Sequence, residues 1–203
     1  MKLTWRGHAC FEVESGDYRI MLDPYHEVTG LPDIIGEANE VLCSHGHHDH
    51  SYVEKVHILG GESPFTVEEL HTFHDDKAGA LRGENTIHIL SAEGLRLAHL
   101  GDLGHMLSDE QAKKLTGCDV LLIPIGGTYT LDAAQAAELT KQLKPRVTVP
   151  MHYRDGKLGY EVLENVDDFL KHFDGVPICR SEENHLVIDE KTAEQIAVLQ
   201  YRG

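Results

Sequence analysis

Residues 40–50 read Glu40-Val41-Leu42-Cys43-Ser44-His45-Gly46-His47-His48-Asp49-His50. The part ending at Cys43 is short and apolar, the pattern of a buried strand. The next seven positions carry four imidazoles and a carboxylate, a density that packing and solubility do not need. His45 and His47 are two apart, so they project to one side of an extended segment, while Asp49 and His50 follow after a turn. Imidazole and carboxylate are ligands of divalent cations, and the spacing can serve two neighbouring ions. The competing reading is a solvated histidine loop that takes up metal adventitiously, as purification tags do. Tags lack the interposed Gly46 and Asp49 and do not follow an apolar strand, whose C-terminal end is where α/β architectures place ligands.

The 203 residues suit one domain, 1–203, with no linker-like composition shift inside it. The start of the chain enters an alternating pattern at once without the apolar core of a signal peptide, and no stretch approaches membrane-spanning length, so a soluble cytoplasmic protein without membrane partners is expected. The formal net charge of −16 repels a nucleic-acid backbone. A small-molecule substrate is therefore favoured over RNA or DNA, and it can be anionic, because bound cations offset the acidity locally. Cys10, Cys43, Cys118 and Cys179 show no C-x-x-C spacing and read as buried free thiols. Oligomeric state has no readable signal.

Strands are expected over Thr4–Glu14 and Tyr18–Leu22, joined by Ser15-Gly16-Asp17. A short helix is expected from His50 to Lys55, then interrupted strands at 65–67 and 70–74. Thr86–Ala92 and Leu95–Leu100 form a hairpin around Glu93-Gly94 that runs into Gly101-Asp102. Ser108 and Gln111 make a capping box for a helix to about Thr116, and Asp119–Ile125 follows as a buried strand. Leu131–Lys144 has helical spacing and stops at Pro145, and Val147–Pro150 is a strand delivering Met151-His152-Tyr153. A helix at 166–173 and strands near 178, 186–188 and 196–199 complete an α/β pattern of sheets packed between helices.

Three further metal-ligand candidates fall at strand ends: His74, Asp102 and His152. A carboxylate has two oxygens and can bridge two cations, and the glycine before Asp102 permits close backbone approach. The alternatives are a turn or N-cap aspartate at 102, a polar loop at 74, and a hydrogen-bonded loop histidine at 152.

The series His45, His47, Asp49, His50, then His74, Gly101-Asp102 and His152 resembles the metallo-β-lactamase superfamily over nearly the whole chain. Trp5-Arg6-Gly7-His8-Ala9, Leu22-Asp23-Pro24 and Gly126-Gly127-Thr128-Tyr129-Thr130-Leu131-Asp132 resemble the small stand-alone hydrolases related to ascorbate phosphate lactonase. The resemblance implies a four-layer αβ/βα sandwich with a dinuclear site at one edge between the sheets. It implies His45, His47 and His74 on one metal, Asp49, His50 and His152 on the other, and Asp102 as bridge. His74 departs from the commoner pattern, being followed by Asp75-Asp76 where many members have a Gly-His-Thr-x-Gly turn. His at 47, in place of an acidic residue, separates the chain from the oxygen-reducing diiron branch.

These ligands suit two Zn²⁺ ions first, with Mn²⁺ or Fe²⁺ as other occupants. The expected activity is metal-dependent hydrolysis of a small ester, lactone or phosphodiester by a metal-activated water that Asp49 orients. A metal-bound water, or a nearby imidazole such as His105 or His8, is expected to supply the leaving-group proton. His8 and Asp23 are placed to orient ligands, and Thr130 and Asp132 to shape the pocket, unless Thr130 caps the following helix. A nuclease-like phosphodiesterase and a non-catalytic metal-binding protein are the competing classes.

Overall fold

The computed structural model describes residues 1–202. Two sheets face each other. The smaller is built from β1 (Lys2–Gly7), β2 (Cys10–Ser15), β3 (Tyr18–Leu22) and, after β4 (Gly36–Ala38), β5 (Glu40–Leu42). A 3₁₀ turn at Val53–Lys55, where a short helix was expected, leads into β6 (Val56–Ile58), which pairs in parallel with β4 as a separate two-stranded ribbon. The larger sheet draws on β7 (Thr66–Phe73), β8 (Glu84–Ala92), β9 (Leu95–His99), β10 (Val120–Pro124) and β11 (Val147–Met151). The helices are α1 (Asp109–Leu115), α2 (Ala133–Leu143) and α3 (Val166–Leu170), and β12 (Ile178–Arg180), β13 (His185–Val187) and β14 (Gln195–Val198) end the chain. The sheet orders are β13-β1-β2-β3-β5 and β12-β14-β11-β10-β9-β8-β7.

Alternation in the small sheet explains how it sits. Phe11, Val13, Ile20 and Leu22 turn inward to the main core with Ile87, Ile89 and Leu97 of the large sheet. Cys10 and Met21 point the other way and are covered by Tyr25, Val28, Ile34 and Val56. That outer layer is thus loop and short ribbon, whereas the outer face of the large sheet carries α2 packed with α1 and α3. Strand β10 is buried along its whole length, as expected of a strand paired in parallel with both neighbours and covered on both faces.

Several local expectations are corrected. The run from Thr4 to Glu14 is two antiparallel strands, because Gly7 at φ +98° and His8 at φ +52° break it into a tight turn. Residues 66–73 form one unbroken strand, held by eight consecutive pairings to β8. Helix α3 stops at Leu170, and α2 is capped by Asp132, whose carboxylate accepts from the Gln135 N–H. Thr130 does not cap it; its hydroxyl donates to the Leu131 carbonyl. Cys10 and Cys118 are buried, but Cys179 is exposed, since β12 is the edge of the large sheet.

Candidate metal centre

Six chain segments end at one edge of the sandwich. The β1–β2 turn brings His8, the end of β3 brings Asp23, and the segment after β5 brings His45 to His50. The ends of β7, β9 and β11 bring His74, Asp102 and His152. His8, Asp23 and His152 all have positive φ, a strained backbone that persists only where surrounding contacts dictate it. Those contacts cross the sandwich: the His152 N–H donates to the His8 carbonyl at 3.2 Å, and His99 Nε2 donates to the Ala9 carbonyl at 2.9 Å.

The ligand atoms gather in overlapping groups, within 4.8 Å of one another in each: His45, His47 and His74; His8, Asp49, His50 and His152; and His45, His50 and Asp102. Asp102 lies at the centre, its two oxygens 3.2 Å from Nε2 of His50, His74 and His152. Asp102 Oδ1 and the Nε2 atoms of His45, His50 and His152 are buried without any hydrogen-bond partner. Folded proteins rarely tolerate such orphaned groups unless an ion or water completes them. The donor set therefore fits a divalent cation centre.

The opposite nitrogens are fixed from behind. His50 Nδ1 donates to Asp23 at 2.8 Å, and Asp23 also accepts from the Ser44 N–H and hydroxyl at 2.6 and 2.7 Å. His74 Nδ1 donates to the Tyr129 carbonyl at 3.0 Å. Such partners set tautomer and ring orientation in metal sites. Asp49 Oδ2 accepts from His8 Nε2 and from the Tyr160 hydroxyl, each at 3.3 Å. Burial pushes His8 and His45 down to about 3, which keeps them neutral and able to coordinate. Burial alone would also push His50 down, but the carboxylates of Asp102 and Asp23 on either side outweigh it and hold its pKa well above the ordinary value.

A model of the beta-lactamase superfamily domain matches residues 2–152, a span that ends on the last histidine of this cluster. The chain belongs to the metallo-β-lactamase superfamily. It is 30% identical to a UPF0173 metal-dependent hydrolase of Archaeoglobus fulgidus over 213 residues, covering 84% of this chain and 90% of the relative. A Pyrococcus furiosus UPF0173 protein is also 30% identical, over 75% of this chain and 83% of its own length. A crystal structure from Thermotoga maritima, described as a candidate zinc-dependent hydrolase of the superfamily, shares 34% identity with a TM-score of 0.75 and covers 98% of this chain and 97% of its own. This member of the superfamily is accordingly a metal-dependent hydrolase of the sandwich fold.

The glycine before Asp102 has a steric reason. A Cβ on Gly101, which has φ +54°, would lie 2.4 Å from Ser44 Cβ and from Asn85 Oδ1. Gly101→Ala is expected to cost about 2–4 kcal/mol in stability through overpacking and backbone strain, read as a lowered denaturant midpoint. Wild-type stability in this variant would show that the β9 end has room to shift.

Over the centre lies a cavity of about 450 Å³ whose floor includes His47, Asp49, His74 and Asp102. A larger one of about 860 Å³ lies by Asp119 and Arg146, at the opposite ends of β10 and β11, and holds none of these ligands. His105 does not line the metal-centre cavity. Its Nε2 accepts from the Phe73 N–H at 3.2 Å and its Nδ1 donates to the Met106 carbonyl at 2.9 Å, leaving no free proton to give. Asp132 is likewise engaged in capping α2 and does not line it. Tyr160, which no sequence motif marks, reaches Asp49 from 111 residues away.

Proposed function

We propose that the centre holds two divalent cations, zinc first with Mn²⁺ or Fe²⁺ as other occupants, and hydrolyses a small ester, lactone or phosphodiester. The observation that carries this reading is the convergence of buried, unpartnered ligand atoms on Asp102. His45, His47 and His74 form one ligand set, and Asp49, His50 and His152 the other. Asp102 touches His74 of the first set and His50 and His152 of the second, which suits the bridging carboxylate. Imidazoles and carboxylates without thiolate suit zinc, the metal in the description of the Thermotoga maritima structure. Bound there, such cations supply a hydroxide nucleophile near neutral pH and offset charge developing on the attacked centre.

The chain's own groups then do the positioning. Hydrogen bonds from His8 and Tyr160 to one oxygen of Asp49 hold its carboxylate plane, so that the other oxygen can orient the attacking water. Burial and the adjacent Asp49 push the Tyr160 phenol far up, so it remains an O–H donor on the cavity wall. We assign Tyr160, in place of His105, to the reaction as the donor that positions Asp49, its one proton being committed to that carboxylate. The cavity volume is that of a small-molecule site. The cytoplasm is the assigned compartment, since Cys10, Cys43, Cys118 and Cys179 are all unpaired.

Elemental analysis of purified protein, with a screen of esters, lactones and phosphodiesters, tests the reading. Two metals per chain and turnover of one class are expected; a single metal, or no turnover above free-metal background, would sink it. Tyr160→Phe is expected to lower kcat about ten- to a hundred-fold at unchanged metal content, as for loss of one donor in a catalytic pocket. An unchanged kcat would remove Tyr160 from the reaction.

A further inference from the structure

In the wall of the cavity above the metal centre, Arg82 is the one Lys or Arg side chain. We infer that Arg82 reads an oxyanion on the substrate, set apart from the bond that is hydrolysed, so that this site takes carboxylated or phosphorylated small molecules. The inference rests on the two-metal reading of the same cavity.

Arg82 is placed there by construction of the loop it ends. Asp75, the residue after His74, accepts backbone N–H groups from Lys77, Gly79, Leu81 and Arg82 at 2.8–3.0 Å, wrapping residues 76–82 around its carboxylate. The His74 N–H donates to the Gly83 carbonyl at 3.1 Å and closes the loop. The departure Asp75-Asp76 thus sets the backbone from which Arg82 projects. One terminal nitrogen of Arg82 donates to the Thr128 carbonyl at 3.0 Å, and the guanidinium lies 5.7 Å from the centre of the Tyr129 ring. The Tyr129 carbonyl in turn accepts from His74 Nδ1, so the guanidinium and a metal-facing imidazole are anchored on one short segment.

Among the described residues, no carboxylate oxygen lies within 4 Å of the Arg82 guanidinium; Asp49 and Asp102 line the same cavity farther off. Among the described residues the side-chain partners of Arg82 are that carbonyl and that ring, neither of them anionic. In a chain with 34 Asp and Glu against 18 Lys and Arg, a half-buried arginine held only for packing would readily have an acidic neighbour. A planar guanidinium with free donors is suited to grip a carboxylate or phosphate in two places. Tyr129 and Tyr160, with ring centres 6.3 Å apart, line the same cavity and add apolar surface to it.

Calorimetric titration of metal-loaded protein with three probes tests this: valerate, glutarate and 4-phosphonobutyrate. One carboxylate of each can engage the metal floor, and the last two offer a second anion to Arg82. Wild-type protein is expected to bind glutarate, 4-phosphonobutyrate or both about ten-fold or more tightly than valerate. The better of the two says whether carboxylate or phosphate is read. Arg82→Gln is expected to erase the advantage while leaving valerate binding unchanged, and Arg82→Lys to keep part of it. Equal affinity for all three probes, no binding of any, or an equal loss across all three in Arg82→Gln would overturn the inference. Elemental analysis of the same samples separates the two readings: protein without metal overturns both, whereas a fully loaded protein that fails the titration overturns the Arg82 assignment alone.

Discussion

Asp102→Ala is expected to reduce bound metal below one ion per chain and to lower kcat/KM by about 10³-fold or more, because Lewis-acid stabilisation of several kcal/mol goes with it. The size of the effect follows from position. The carboxylate contacts an imidazole from each ligand set, and it is held rigidly: the Asp102 N–H donates to Asn85 Oδ1 at 2.8 Å, and the Asn85 amide donates to Thr72 and to the Leu100 carbonyl. Burial disfavours the charged form, yet the imidazoles of His152 and His50 outweigh it and hold Asp102 well below the usual carboxylate range. Asp102→Asn keeps the shape and removes only the charge, so it should lose metal nearly as severely while far-UV circular dichroism stays native. Two metals per chain with activity within ten-fold of wild type would refute the bridging role.

Asp23→Ala is expected to be the most destabilising single change at the site, at about 3–5 kcal/mol, the usual cost of removing one partner from a buried charged network. The Ser44 N–H, the Ser44 hydroxyl and His50 Nδ1 would all lose their acceptor in a place without solvent. In a protein of this size that is a fall in melting temperature of about 6–20 °C, read by differential scanning calorimetry. Metal affinity should fall about 10–100-fold as well, since His50 loses the group that orients it. A loss of metal affinity with unchanged melting temperature would show that Asp23 only orients and does not support the fold.

Much of this molecule could be read directly from residue patterns, and what could not was non-local. Ser108 with Gln111 declared the start of α1, and the apolar run Val120–Pro124 declared a strand buried on both faces. The seven residues from Ser44 to His50 declared cation chemistry because no packing requirement calls for that composition. By contrast, the break at Gly7-His8 depends on partners supplied by His99 and His152, far along the chain, so an alternating run concealed a hairpin. The β4–β6 ribbon passed unnoticed because three-residue strands carry too little periodicity to register. Asp132 and Thr130 are both plausible caps two residues apart, and only the side-chain geometry decides between them. His105 looked available because it follows Asp102 by three positions, yet backbone groups on both sides occupy its ring.

The ligands divide between the two sheets. Of the proposed ligands, His45, His47, Asp49 and His50 follow β5 of the small sheet, and His74, Asp102 and His152 lie at the ends of large-sheet strands. A cation held by both sets is therefore a cross-link across the sandwich, and it cannot be captured until the chain has been made as far as residue 152 and the sheets have docked. On the two-cation reading, metal uptake is a late folding event whose binding energy adds to the stability of the docked state: each cation at a hundred times its dissociation constant would contribute about 2.7 kcal/mol. A chelator should then soften the junction between the sheets before it disturbs either sheet, so that hydrogen exchange quickens first in the β1–β2 turn. How firmly the two halves hold together is, in this architecture, a function of the metal supply.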